Sequence, residues 1–301
     1  MNYRELEKKF GRTQKIMNPI VLQLANGNLF FAGLVMIVAA LLLRLWFEDR
    51  FLGLVLRIGY IAGIVFVIFS ATPLSIWVYC LWFGLCVAAA LAVFSKKLSF
   101  QRKMLMSCAV LLCSLVMCLV ELPYHLSPTI KASPQQTLFV VGDSISAGIS
   151  AKERAWPAVL ADISHFEVIN LAKPAATVES AMDQIAGIVG SNSLVLVEIG
   201  GNDLLGHTDS KNFHIQLDQL LGKLTAGNNQ VVVFELPLFP FCNAFGKAQR
   251  NLAKKYNVIL IPKHFMTDVF GLKGGTVDGL HLSQKGHDAL ANSINSLLKT
   301  N

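Results

Sequence analysis

After residue 132 the chain holds a single cysteine, Cys242, and one thiol cannot close a disulfide inside a domain. The other five, Cys80, Cys86, Cys108, Cys113 and Cys118, lie in apolar runs, so cysteine usage leaves the redox compartment open. Metal ligation is equally short of material. The seven histidines are scattered and lack partners at finger or helix-face intervals, so neither a metal nor a cofactor is expected. Acid is scarce in the first half: residues 1–132 carry 13 Lys and Arg against 5 Asp and Glu, whereas residues 133–301 carry 13 against 14. The net charge of +7 therefore belongs to the apolar half, where it orients helices in a membrane and does not mark a nucleic-acid surface. Nucleic acid is not expected as a partner.

What the first half does have is long apolar runs, at 29–47, 51–70, 72–94 and 104–120, each near the length of a hydrocarbon core. They predict a transmembrane region at 29–120 with three or four spans, after a polar segment at 1–28 and before a proline-bearing linker at 121–134. A cleaved signal peptide is not expected, because the first long apolar run starts only at Leu29 and others follow. Arg57, seven residues into the second run, either snorkels to a nearby interface or faces the bundle interior and binds something, and its place near the end of the run favours the first. The connection 95–103 holds Lys96, Lys97, Arg102 and Lys103 with no acid, a cytoplasmic signature that puts everything after the last run outside the cytoplasm. Four spans would also put Arg4, Lys8, Lys9, Arg12 and Lys15 outside, against the same rule. Three spans, with one run in the interface or turning back near Pro73, would remove the conflict.

Beyond residue 135 the pattern changes to short apolar strands at 137–141, 166–170, 194–199, 231–235 and 258–261. Helix-like stretches at 152–163, 177–189, 212–225, 241–255 and 283–298 alternate with them, which predicts a parallel sheet covered on both faces in a domain at 135–301. Three stretches there carry chemistry. Strand one ends in Gly142-Asp143-Ser144, which puts Ser144 in a turn at the carboxyl end of a strand, where open α/β sheets place their ligands. Strand three ends in Gly200-Gly201-Asn202-Asp203, where two glycines allow close approach and Asn202 offers an amide donor. Just before the last helix, Asp278-Gly279-Leu280-His281 lets one loop carry a base and a carboxylate to orient it. Each stretch alone would serve as an ordinary turn, and His287 in the next turn reads as a surface histidine.

Taken in order, the three stretches resemble the blocks of the SGNH/GDSL hydrolase family. The runs 142–148, 155–160 and 197–203 are similar in detail to its bacterial thioesterase/lysophospholipase (arylesterase) branch. The resemblance implies a flavodoxin-like three-layer α/β/α hydrolase domain with a five-stranded parallel sheet, preceded here by the helical transmembrane region. It implies Ser144 as nucleophile, His281 as base and Asp278 as its orienting carboxylate. The oxyanion hole would be formed by the Ser144 N–H, the Ala175 N–H and Asn202, with Asp143 and Gly201 in support. The implied reaction is hydrolysis of an ester or thioester through an acyl-enzyme by a protein held in a bacterial cell membrane, with an ester-containing lipid or glycan as substrate.

Two departures from the family pattern stand out. Ala175 occupies a position usually held by glycine, and with Pro174 before it and Ala176 after it the loop is expected to keep Ala175 at negative φ. After His281 the chain reads Leu282-Ser283 where the branch has Pro-Asn, and Ser283 is expected to cap the last helix. Other readings are an O-acetyl esterase or acyltransferase acting on an envelope glycan, and a non-catalytic, membrane-held binding module. Oligomeric state is not read from the sequence.

Overall fold

The computed structural model describes residues 18–300 except Glu48, Lys96, Lys97, Pro134, Ala151, Lys152 and His207, and gives only the backbone of Thr300. Most of the polar segment 1–28, with its five basic residues, and Lys96 and Lys97 of the 95–103 connection therefore lie outside the described residues. The described residues form two compact units, one of Gln23–His125 with Leu238–Asn243 and the other of residues 18–22, 126–237 and 244–300.

The first unit is helical. A short helix α1 (Pro19–Ala25) leads into α2 (Asn28–Trp46), α3 (Arg50–Phe69), α4 (Ile76–Val93) and α5 (Phe100–Glu121). Among the described residues four helices are long and apolar enough to cross a membrane, and only 28–33 % of each apolar window is buried. Large apolar side chains such as Phe51, Ile61, Trp77, Leu91 and Leu112 point outward, as they would toward lipid. Inside, Phe30, Ile37, Val67, Trp82, Val110 and Met117 pack into one core. Helices α2 and α3 cross where Gly33 faces Gly63: a Cβ on Gly33 would lie 2.6 Å from the Gly63 carbonyl oxygen, so neither position admits a side chain. Two polar groups are satisfied across the bundle, Tyr60 Oη donating to the Cys86 carbonyl at 2.7 Å and Trp82 Nε1 to Ser114 Oγ at 3.1 Å.

The second unit holds the strands β1 (Ile130–Ala132), β2 (Leu138–Gly142), β3 (Val168–Asn170), β4 (Leu194–Glu198), β5 (Gln230–Phe234), β6 (Ile259–Ile261) and β7 (Leu298–Thr300). Five of them form a parallel sheet in the order β3-β2-β4-β5-β6, the flavodoxin-type arrangement. Every residue of β2 and β4 is buried, as central strands covered on both faces must be. Side chains alternate between the faces. Leu138, Val140, Leu194, Leu196, Val232 and Phe234 meet Trp156 and Leu160 of α7 (Trp156–Ile163) and Leu290 and Ile294 of α13 (Gln284–Leu297). On the other face the buried Phe139, Val195, Val197 and Val233 lie beneath the apolar stripe Phe213, Leu217, Leu220 and Leu224 of α10 (Ser210–Ala226).

Several boundaries move for local reasons. Helix α7 begins at Trp156 and not at 152, because Ala155 is extended and Pro157 falls in the first turn, where a missing N–H costs nothing. The 177–189 stretch yields only α8 (Ala181–Gln184) and a 3₁₀ turn at Ile185–Gly187. Helix α11 (Asn243–Tyr256) precedes β6, and a helix absent from the sequence reading, α12 (His264–Gly271), follows it. The linker is not plain coil: its residues 130–132 are β1, paired in parallel with β7, so it too belongs to a sheet.

Candidate active site

The order of the sheet fixes where a site can form. From β2 the chain goes to β3 on one side and then to β4 on the other, so a crevice opens outside the carboxyl ends of β2 and β4. Gly142 and Glu198, the last residues of those strands, stand in register. Ser144 follows the first and begins the short helix α6 (Ser144–Ala147). Asn202 follows the second in α9 (Gly201–Leu205).

The turn after β2 is built tightly. Gly142 must be glycine, since a Cβ there would meet Ser146 at 2.8 Å and the Glu198 carbonyl at 2.9 Å. Asp143 Oδ1 caps α6 by accepting the Ile145 N–H at 2.9 Å, which aims the helix start at the crevice. Gly142 lies past the paired residues of β3, and the Gln184 side chain serves it on both sides: Oε1 accepts the Gly142 N–H and Nε2 donates to its carbonyl, both at 2.9 Å, with the Lys173 N–H donating to the same carbonyl at 3.1 Å. Sequence reasoning missed Gln184, because nothing local marks a residue 42 positions away as the strand's partner.

Asn202 ties three loops together. Its Nδ2 donates to the Ala176 carbonyl at 2.9 Å and to Asp143 Oδ2 at 3.3 Å, next to Ala175 and Ser144 respectively. The three expected oxyanion donors thus come from neighbouring turns, and among the described residues the Ser144 and Ala175 N–H groups donate to no other acceptor. Ala175 is a correction. It sits at φ 61°, in the left-handed region, so the proline before it did not keep it at negative φ. A Cβ there costs roughly 1 kcal/mol, yet the exposed N–H remains free to bind an anion.

Gly200 takes φ 109° and packs so closely on Phe213 and Leu236 that a Cβ would lie 3.0 Å from each. Gly201 leaves room for Asp143 Oδ2, which a Cβ would meet at 3.3 Å. The glycine pair therefore serves packing and the Asp143 carboxylate, where the sequence reading had it admitting a ligand.

Asp278 and His281 form the pair that their spacing predicts. Oδ2 of Asp278 is 2.7 Å from His281 Nδ1, and Oδ1 accepts the backbone N–H groups of Leu280 and His281 at 3.0 and 2.8 Å. Gly279 makes the turn at φ 99°. Burial pushes the Asp278 carboxyl up, but the hydrogen bonds from the His281 ring and the two backbone N–H groups outweigh it and hold the group down at about 2. The Asp278 hydrogen bond raises His281 above its ordinary value against the opposing effect of burial, and the charges of Asp143 and Glu153 add to the rise. The Asp143 charge reaches His281, which ties the Asp278–His281 loop electrostatically to the Ser144 turn. Among the described residues no hydrogen bond yet joins Ser144 Oγ to the His281 ring; such bonds commonly tighten only once substrate is in place.

Beneath the nucleophile turn lies a polar network that the sequence reading passed over. Trp156 Nε1 donates to Ser146 Oγ at 3.1 Å, and Ser146 Oγ donates to Glu198 Oε2 at 2.7 Å. The Glu198 carboxyl is hydrogen-bonded to that of Asp143. Burial, and then the Asp143 charge, push Glu198 well above the usual carboxylate range. Burial likewise pushes Asp143 up to about 6. Two buried carboxyls in contact share a proton, so Glu198 donates to Asp143 and leaves it as the acceptor that Asn202 needs. The available signal was an acid at the end of the apolar run 194–199.

His287 is a second correction: it is buried, not on the surface, and its Nδ1 accepts the Trp156 N–H at 3.2 Å. Burial holds it below the ordinary histidine value, which keeps it neutral and structural. Ser283 caps α13 through the Gly286 N–H, as its position implies.

With this geometry in view, the chain was compared with known proteins. The model of the GDSL-like Lipase/Acylhydrolase family matches residues 140–289. Thioesterase 1/protease 1/lysophospholipase L1 of Escherichia coli (strain K12) is 30% identical over 175 residues, covering 54% of this chain and 83% of that protein. Esterase TesA of Pseudomonas aeruginosa is 27% identical over 178 residues, covering 54% of this chain and 88% of its own. Among solved structures, the psychrotrophic esterase EstA from Pseudoalteromonas sp. aligns at 22% identity and a TM-score of 0.47, over 54% of this chain and 96% of that one.

Proposed function

The chain belongs to the GDSL-like lipase/acylhydrolase family and is a serine ester hydrolase, and on that premise we propose that Ser144 is its nucleophile, His281 the base and Asp278 the carboxylate that orients the imidazole. The observation that carries this reading is the Asp278–His281 hydrogen bond of 2.7 Å, in a loop whose histidine feels the charge beside Ser144. With Nδ1–H held by Asp278, Nε2 is the free acceptor. It takes the Ser144 proton as Oγ attacks the acyl carbonyl, then returns that proton to the leaving group. Water, activated by the same nitrogen, hydrolyses the acyl-enzyme. The tetrahedral oxyanion is received by the N–H groups of Ser144 and Ala175, with Asn202 Nδ2 turning from the Ala176 carbonyl as charge develops.

The substrate proposed is an acyl ester or thioester, foremost an acyl lipid, hydrolysed by a protein anchored in the membrane through its helical unit. Support comes from the four long apolar helices and from the names of the relatives, which include a thioesterase and a lysophospholipase. The acid-free 95–103 connection supports a hydrolase unit outside the cytoplasm. A reporter fused after residue 301 that works only in the cytoplasm would refute that side. The substrate is tested with the full chain in detergent against a lysophospholipid, an acyl thioester and an acetylated glycan. Preferential turnover of the first two is expected. Preference for the glycan would favour the O-acetyl esterase or transferase reading, and turnover of none the binding module.

A further inference from the structure

Four cationic side chains converge on a cavity of the helical unit that plays no part in the hydrolase chemistry. The cavity has a volume of about 550 Å³ and is lined by Arg44, Arg50, Arg57 and Lys103, with Asp49 and Phe94. All four long helices contribute at one end of the bundle: Arg44 in the last turn of α2, Arg50 and Arg57 early in α3, Phe94 directly after α4, and Lys103 in the first turn of α5.

Among the described residues no carboxylate pairs with these charges. Among the described lining residues Asp49 is the one carboxylate, and its Oδ1 already accepts the Leu52 N–H at 2.8 Å as the cap of α3. Among the described residues none of the four cations forms an ion pair. Arg44 Nη1 donates to the Phe47 carbonyl at 2.5 Å, while its Nε is buried with no hydrogen-bond partner. Its guanidinium rests where Gly53 lacks a side chain, 3.6 Å from the place a Cβ would take. Arg57 lies over the Phe94 ring with Cζ 5.3 Å from the centroid, which holds the guanidinium at the cavity wall.

Snorkelling explains one arginine reaching for an interface, and the positive-inside preference explains basic loops. Neither explains four cations gathered in one concavity, where like charges repel and a buried N–H stays unpaired. An anion relieves both. Arginine forks match the oxygens of a phosphate in pairs, and a lysine adds a point charge.

From this convergence we infer that the cavity binds a phosphate-class anion, carried either on a phospholipid headgroup or as free phosphate, through Arg44, Arg50, Arg57 and Lys103. The test uses the full chain in a neutral detergent, with the thermal midpoint followed by tryptophan fluorescence. Two ligands are added separately: inorganic phosphate, and a short-chain ether-linked phosphatidylglycerol that the hydrolase cannot cleave. The wild type should gain about 4 °C at saturation with at least one of them. A gain with the lipid alone identifies the headgroup, and a gain with phosphate identifies the free anion. The Arg44→Gln/Arg57→Gln double variant should lose the gain. Arg102→Gln, an exposed residue of the same connection that does not line the cavity, should keep it. An unliganded thermal midpoint and a far-UV circular dichroism spectrum like those of the wild type show that the variants are folded. The inference is overturned if neither ligand shifts the wild type, if the double variant keeps the shift, or if Arg102→Gln abolishes it equally.

Discussion

The two units use similar apolar residues to opposite ends. Within each long helix of the helical unit the backbone bonds are made inside the helix, so the outer faces can stay apolar, and two thirds or more of each apolar window is left unburied. In the α/β unit the strands find their partners in one another, and β2 and β4 are covered completely on both faces. The difference extends to polar groups. The bundle gathers Arg44, Arg50, Arg57 and Lys103 at one end, whereas the α/β unit buries two carboxyls under its nucleophile turn and satisfies them with Ser146 and Asn202. One unit leaves apolar faces outward on helices long enough to cross a membrane, and the other holds a few polar groups in fixed positions.

If the polar groups of the α/β unit act as one machine, breaking any part of it should cost almost as much as breaking all. Ser144→Ala and His281→Ala should each lower kcat on a short acyl ester by about 10⁴-fold or more, and the double variant should be scarcely worse than either. Multiplying losses in the double variant would mean that the two residues act separately.

A matched pair of packing changes compares the units directly. Glu198→Ala removes the acceptor of the buried Ser146 hydroxyl and one of the partners of the Asp143 carboxyl and should cost about 3 kcal/mol in denaturant unfolding, while Glu198→Gln, which can still donate and accept, should cost under about 1 kcal/mol. Gly63→Leu, at the crossing of α2 and α3, should cost the helical unit about 1–3 kcal/mol through overpacking, seen as a lower thermal midpoint in detergent. The polar pair also sets a pH dependence. Because the Glu198 and Asp143 carboxyls are raised in the folded protein, their contribution is full in acid and is lost as pH rises through about 6. Glu198→Gln should flatten that slope.

Catalysis should titrate in the opposite sense. His281 must be neutral to act as base and is raised above its ordinary 6.5, so kcat/KM should fall on the acid side with a midpoint above 6.5. Asp278→Asn should move that midpoint down while slowing the reaction. An unmoved midpoint would assign the limb to another group. The smallest effect belongs to Ala175→Gly. Relief of the left-handed strain should stabilise the protein by about 1 kcal/mol and change kcat/KM by no more than a few-fold, since the N–H is already free. A large gain in rate would show that the alanine impairs the oxyanion hole.

How far the site was legible follows from where its information lies. Ser144, Asn202, Asp278 and His281 sit in turns whose residue types state their own geometry, and the structure puts Asp278 on His281 as the spacing predicts. The strands were legible from their apolar runs to within two residues. What escaped depends on contacts distant in sequence: Gln184 on Gly142, Glu198 on Asp143, and the Trp156 N–H on His287. The pairing of β1 with β7 escaped because three-residue strands carrying lysine have no apolar signature. The conformation of Ala175 was misread because small, stiff neighbours do not decide the sign of φ; the path of the loop between β3 and α8 does.

The central claim is that Ser144 carries the acyl group. Treating the full chain with a fluorophosphonate and mapping the adduct by peptide mass spectrometry tests it most directly. One adduct per chain on Ser144 is predicted, with none on Ser144→Ala and slow labelling of His281→Ala. An active wild type that labels elsewhere, or a Ser144→Ala protein that labels and turns over like the wild type, would contradict the account.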